Sequence, residues 1–166
     1  MISQAAANGS VTKTPDQATY DTGDAITLQA TANNGYHFAD WSGDLTSSNN
    51  PATLVMDDDK AVTANFAINT YTLSINATNG SVFRIPDKSA YNYGESVSLQ
   101  AVPDAHYGFG GWSGDLSSGN NPVALVMDSH KTVTATFTHI PDSAAPTVTN
   151  CSPQPNAIQV PVNQLV

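Results

Sequence analysis

The chain has 166 residues and a formal net charge of −9, with only five lysine and arginine residues. So few cations cannot neutralise several phosphates, and we expect no nucleic acid partner. No apolar run approaches the roughly 18 residues of a membrane span, so we expect no membrane insertion.

Only 11 % of the residues are charged, against about 25 % in an average globular protein. Glutamate and arginine occur once each, which disfavours long helices. The single cysteine, Cys151, permits no intrachain disulfide.

A duplication runs through most of the chain, with a constant offset of 71 positions, as Trp41 and Trp112 illustrate. It extends without a gap from Asn8 to Phe66 in the first copy, and roughly half of the paired positions are identical. The clearest recurring segments are residues 8–11 with 79–82, 41–45 with 112–116, 49–51 with 120–122, and 54–57 with 125–128. We therefore divide the chain into module one (1–67), module two (69–139) and a third region (140–166).

Apolar residues alternate within each module, which is typical of strands with one buried face. In module two the runs lie at positions 73–77, 97–101, 123–127 and 133–137, and module one repeats the last three. Turn-forming pairs such as Asn79-Gly80 separate them. The pattern predicts an all-β fold, β-grasp-like or a small sandwich, with about five short strands per module and the last two strands forming a hairpin.

The opening strand differs between the modules. Where module two has Tyr-Thr-Leu-Ser-Ile from Tyr71, module one offers only Met-Ile-Ser-Gln from Met1. We therefore expect this strand of module one to be short, poorly packed or truncated, and module one to be the looser domain. The proline-rich third region predicts an extended linker, and the character of the two ends leads us to expect a segment of a longer protein.

The ordered motifs Tyr-Thr-Leu, Asn-Gly-Ser-Val, Tyr-x-x-Gly, Trp-Ser-Gly-Asp, Asn-Pro and Met-Asp-x-x-Lys-x-Val-Thr-Ala-x-Phe carry a family resemblance. The chain resembles the divergent internalin-type B-repeat, over residues 1–67 and 69–139. The resemblance implies β-grasp-like or sandwich-like modules that serve as spacers or adhesive stalk units of secreted and surface bacterial proteins, and it implies no catalytic residues. The third region is similar to the opening of a bacterial immunoglobulin-like domain and would hold its truncated first strand.

Aromatic residues form the first candidate site, because exposed rings can stack on sugars. Trp41 and Trp112 are the main candidates, together with Tyr107 in a glycine-rich stretch. The alternative interpretation is core packing, which we favour because tryptophan is usually well buried and small modules need bulky anchors. The other rings of the group are Tyr36, Phe38 and Phe109.

Acidic and histidine side chains form the second group of candidates. Asp44 with the run 57–59 is compatible with a calcium site, but module two retains only one of the three run residues, so we predict a turn. Asp44 and Asp115 are expected to accept backbone N–H bonds in a Ser-Gly-Asp turn, and they are also candidate ligand contacts. The four histidines show no zinc-ligand spacing. We expect no metal and no other cofactor. The histidines are His37, His106, His130 and His139.

The sequence thus favours a non-enzymatic spacer of an extracellular or cell-surface bacterial protein, whose partners are the neighbouring domains. One alternative is a module that binds a glycan or a surface protein through exposed aromatics. A second alternative is self-association, in which the apolar stretch from Ile158 to Val166 adds to a sheet edge of another molecule.

Overall fold

The computed structural model describes residues 1–142. The expected linker beyond residue 142, the immunoglobulin-like strand and the self-association strand at 158–166 lie outside the described residues. The described part contains fourteen strands and no helix, and therefore no helix that could cross a membrane. The strands are β1 (Ile2–Ala6), β2 (Gly9–Thr14), β3 (Ala25–Ala32), β4 (Tyr36–Gly43), β5 (Ala52–Val55), β6 (Lys60–Ile68), β7 (Thr70–Tyr71), β8 (Leu73–Ala77), β9 (Gly80–Ile85), β10 (Tyr91–Asn92), β11 (Glu95–Pro103), β12 (Tyr107–Gly114), β13 (Val123–Met127) and β14 (Lys131–His139).

Each module is a small sandwich of two three-stranded sheets. In module one the sheets have the orders β1-β6-β4 and β2-β3-β5, and in module two they have the equivalent orders β8-β14-β12 and β9-β11-β13. The opening strand runs parallel to the closing strand in both modules, and the other pairs of these sheets are antiparallel. The prediction of an all-β fold is confirmed.

The core of each module lies between its two sheets. Strand β3 alternates between exposed and buried residues, and β11 repeats the pattern. The two inward faces meet around one tryptophan per module, Trp41 or Trp112. This alternation places the apolar side chains of both sheets in one interior layer, as expected for packed sheets.

The predicted hairpin of the last two strands is wrong. In module one β5 pairs with β3, whereas β6 pairs with β1 and β4, so the chain crosses from one sheet to the other between them. Module two makes the same crossing between β13 and β14. An alternating pattern shows only that a strand has one buried face. Two such strands show the same pattern whether they pair within one sheet or lie in two facing sheets.

The predicted shortness of the first strand is also wrong. Strand β1 has five residues, as β8 has, and Ile2 pairs with Lys60 as Leu73 pairs with Lys131. Backbone pairing to the closing strand needs no particular side chains, so the weaker sequence still forms the strand. Its packing is less complete, because Ile2 is half-buried and Leu73 is buried.

Candidate functional site

The two tryptophans lie inside the modules. Trp41 is 1 % exposed and Trp112 is 4 % exposed. Each indole Nε1 donates a hydrogen bond of 2.9 Å to a backbone carbonyl eight residues later, Asn49 or Asn120. Phe38 and Phe109 pack against the two indoles at centroid distances of 5.2 and 5.3 Å. The core interpretation of the tryptophans is therefore confirmed, and neither indole presents an open face to a sugar.

The remaining candidate contact residues are dispersed. Tyr107 is half-buried and meets the His139 ring edge-on at 5.5 Å. Asp44 accepts a hydrogen bond of 2.7 Å from the backbone N–H of Ala61. Asp115 accepts the equivalent bond of 2.6 Å from Thr132 N–H. These carboxylates thus tie the loop after β4 or β12 to the start of the closing strand, and they occur once in each module.

The acidic run of module one lies in the crossing between β5 and β6. Asp57 pairs with Lys60, and Asp59 pairs with the amino terminus. The hydrogen bond from Lys60 lowers the pKa of Asp57 below its ordinary value of 3.8. The pair therefore stabilises the fold at pH values above 3.8, and this stabilisation is lost as the pH falls through the lowered pKa. Within residues 1–142 no three His, Cys, Asp or Glu side chains are grouped as metal ligands.

In each module an asparagine near the end of the loop after the tryptophan strand clamps that loop to the central strand of the facing sheet, β3 or β11. The Asn121 side chain accepts the Ala101 N–H at 2.9 Å and donates to the Ala101 carbonyl at 2.7 Å. Asn50 makes the same two bonds to Ala30, at 2.9 and 2.8 Å. The amide side chain therefore imitates a neighbouring strand at a point where the ladder has ended.

Replacing Asn121 by alanine should destabilise module two by about 1–3 kcal/mol, because two hydrogen bonds to the backbone are lost. Chemical denaturation of the purified chain measures the change. The matched control is Asn120→Ala, since only the backbone carbonyl of Asn120 is used by Trp112. That control should change the stability by no more than about 0.5 kcal/mol. Equal effects of the two variants would contradict the clamp.

The joint between the modules combines a short link with contacts that the sequence did not reveal. Strand β6 ends at Ile68 and β7 begins at Thr70, so Asn69 alone connects them. Its N–H donates to the Gly35 carbonyl at 2.8 Å, and its carbonyl accepts the Tyr93 N–H at 2.8 Å. Its side-chain oxygen lies 2.7 Å from the His37 Nδ1. Asn69 thus bonds to module one and module two at once.

A ring-on-glycine contact completes the joint. Tyr93 lies against Gly35, and a Cβ added to Gly35 would stand 2.2 Å from the tyrosine ring. The Tyr93 hydroxyl accepts a hydrogen bond of 2.6 Å from the Asn34 side chain. Gly35 is buried and has a φ of +82°. Glycine therefore adopts this left-handed backbone without strain and also leaves the space that the Tyr93 ring occupies.

The equivalent positions outside the joint carry different residues. Module two has His106 where module one has Gly35, and module one has Thr22 where module two has Tyr93. His106 adopts the same left-handed backbone, with φ of +67°, and it is exposed. These departures within a close duplicate were the available signal for the joint. The two departures can be interpreted only once Gly35 and Tyr93 are known to be in contact. These residues are 58 positions apart, and no sequence pattern predicts that they meet.

Comparison with known proteins agrees with the repeated architecture. The family model of the divergent InlB B-repeat domain matches residues 2–70 and again residues 71–141. The chain belongs to this B-repeat family. No curated protein and no solved structure matched the chain. The B-repeat family is typical of bacterial surface or secreted proteins, and such repeat domains are generally non-catalytic.

The second B-repeat carries an apolar outer face that the first lacks. Phe83 and Ile85 point outward from β9 and are 60 % and 70 % exposed. Module one has Thr12 and Thr14 at these positions. The two repeats therefore share their cores and differ on their surfaces.

Proposed function

We propose that the two B-repeats act as a rigid, non-catalytic spacer that holds neighbouring domains of a bacterial surface protein at a fixed separation and orientation. The joint is the observation that carries this proposal. A spacer must resist bending where its units meet, and a flexible connection would defeat that purpose whatever the stability of each unit.

The connection leaves little torsional freedom. Only Asn69 lies between the two modules' strands, and its N–H, its carbonyl and its side-chain oxygen all have partners. Longer polar linkers behave as flexible coils, and the distance between their ends grows with the number of residues. A one-residue connection whose backbone N–H and carbonyl are both hydrogen-bonded behaves instead as part of the folded structure.

The contact beside the connection supports the same function. Tyr93 adds a ring surface and a hydroxyl bond at a second point, away from the covalent link. Two points of attachment resist hinge motion more effectively than one, because a rotation about the first must break the second. A tyrosine also provides a large contact area with little side-chain entropy to lose.

The chemistry of the rest of the surface fits a spacer better than a catalyst. Asp44 and Asp115 are held by backbone N–H groups, and the two tryptophans are inside the cores. The repeated features thus stabilise each module. A binding function through exposed aromatics would have to use other residues, of which Phe83 is the most exposed ring in module two.

Replacing Tyr93 by threonine, the residue of module one, should release the joint while leaving both modules folded. NMR relaxation of backbone amides reports the tumbling of each module separately. In the parent chain we expect one common rotational correlation time, and in Tyr93→Thr we expect two shorter ones. The Asn34 hydrogen bond that is lost is worth about 1 kcal/mol.

The matched control is Phe83→Thr, which also removes an aromatic ring and also installs the residue of module one. Phe83 lies on the outer face of β9 and takes no part in the joint. The control should keep the common correlation time. Separate tumbling already in the parent chain would overturn the spacer proposal.

A further inference from the structure

Strand β9 is the last strand on one side of its sheet, and within residues 1–142 it pairs with β11 alone. Val82 of β9 lies opposite Ala101, in a regular antiparallel register. The N–H and the carbonyl of Ala101 are both bonded to the Asn121 side chain, so they point away from β9. Opposed residues that do not bond to each other direct their polar groups to the outer edges of the pair. The N–H and carbonyl of Val82, and those of Arg84 two residues later, therefore point to the free edge of β9.

A groove runs beside this free edge, between β9 and the edge strand β8 of the facing sheet. It has a volume of about 460 Å³. The lining residues are Ile75, Ala77, Val82, Phe83, Arg84 and Asp87. Arg84 and Asp87 are bonded to each other, and the rest of the lining is apolar. Directly opposed residues of neighbouring strands have their side chains on the same face of a sheet, so a strand added to β9 would direct alternate side chains into this groove.

The outer face of the same edge is apolar in module two only. Phe83 and Ile85 are exposed there, and Val102 of the neighbouring strand β11 is exposed beside them. Module one has threonine at all three equivalent positions, which are Thr12, Thr14 and Thr31. An added strand would therefore meet apolar side chains on both of its faces in module two, and on the groove side alone in module one.

An acidic side chain stands near each end of the free edge. The Asp104 N–H donates to the Asn79 carbonyl at 3.1 Å, immediately before β9 begins. Asp87 lies two residues beyond the end of β9. All three cations of module two are already paired with neighbouring carboxylates, and none of them is paired with Asp104. The charges at this edge therefore favour a partner with basic residues at its two ends.

The size of the edge favours a single extended segment over a second copy of the chain. Six residues of strand are about 20 Å long, whereas each partner in a stable dimer buries about 800 Å². A second copy would also bring its own Asp87 and Asp104 to the same edge, and like charges that face each other oppose association. The net charge of −9 on each chain adds to this repulsion.

We propose that the free edge of β9 binds an extended segment of another protein as an added strand. This segment has apolar side chains at alternate positions and lysine or arginine at both ends. Its apolar side chains enter the groove, and its backbone bonds to Val82 and Arg84. Its intervening side chains lie beside Phe83, and its cations lie near Asp87 and Asp104. The proposal goes beyond the spacer function and does not rest on it.

The test adds the synthetic peptide Lys-Val-Thr-Val-Thr-Val-Lys, blocked at both termini, to the full chain. Amide hydrogen exchange measured by NMR follows Val82 and Arg84. A dissociation constant of about 1 mM would slow the exchange of these two amides about threefold at about 2 mM peptide. The equivalent amides of Val11 and Lys13 in module one are the internal control, and their exchange should not change.

A second peptide with N-methylated valines is the matched control. The valines that enter the groove are the residues whose N–H groups face β9, so methylation removes the backbone bonds and keeps the side chains. This peptide should give no protection. In the protein, Phe83→Thr installs the residue of module one at an exposed position and should weaken peptide binding by up to about fivefold. Asp104→Asn, which also installs the residue of module one, should reduce the salt dependence of binding.

Unchanged exchange of Val82 and Arg84, or equal effects of the two peptides, would overturn the proposal. Equal slowing at Val11 and Lys13 would also overturn it, because the apolar outer face would then have no role. Protection that grows with protein concentration in the absence of peptide would overturn it in favour of a second copy. None of these outcomes depends on the joint, so each would leave the spacer function untouched.

Discussion

Replacing Trp112 by alanine should unfold module two, or bring it close to unfolding, while module one stays folded. Truncating a buried tryptophan costs about 3–5 kcal/mol, because the transfer energy is lost and a cavity remains. A domain of this size has a total stability of only about 0.05–0.15 kcal/mol per residue. The indole fills the centre of the sandwich and contacts Phe109, and the variant also leaves the Asn120 carbonyl without its donor.

Chemical denaturation monitored by tryptophan fluorescence and by circular dichroism distinguishes the unfolding of the two modules. In Trp112→Ala the fluorescence comes from Trp41 alone and reports module one, whereas circular dichroism reports both modules. We expect an early transition seen by circular dichroism only, followed by the transition of module one. The reciprocal variant Trp41→Ala serves as the matched control and should reverse the order. A single transition that carries both modules would contradict separate cores.

Replacing Gly35 by histidine should open the joint without unfolding either module. The new Cβ would stand 2.2 Å from the Tyr93 ring, which is too close for any real contact, so the ring must leave. The hydrogen bond between the Tyr93 hydroxyl and Asn34, worth about 1 kcal/mol, is then lost as well. His106 already adopts this backbone conformation in module two, so the substitution is compatible with the local fold.

Small-angle X-ray scattering measures the result as a broader distribution of overall dimensions for Gly35→His than for the parent chain. The matched control is His106→Gly, the reverse exchange at the equivalent position of module two. It lies outside the joint and should leave the scattering unchanged. Retention of the parent scattering profile by Gly35→His would show that the ring contact does not hold the modules.

Much of the fold follows from local patterns in the sequence. Alternation identified the strands because each has one face in a common core, as β3 shows with Ile26, Leu28 and Ala30 inside. The burial of Trp41 and Trp112 followed from their size in a small module. The family match over both repeats agrees with the resemblance seen in the motifs.

What the sequence missed depends on contacts between distant residues. Alternation could not tell whether β6 returns beside β5 or crosses to the facing sheet, because its side chains have the same burial in either case. The first strand of module one forms through backbone pairing with β6, which side-chain patterns underestimate. The joint combines Gly35, Asn69 and Tyr93 from separate stretches of the chain, and none of the three is unusual by itself.

The most direct test of a rigid spacer is the distribution of distances between the two modules in solution. Spin labels at Thr53 and Ala124, equivalent outward positions of β5 and β13, are suitable in a Cys151→Ser background. Pulsed electron paramagnetic resonance then measures the label separation. For a rigid joint we expect one narrow distribution that broadens in Tyr93→Thr and in Gly35→His. A broad distribution in the parent, unchanged by either substitution, would contradict it.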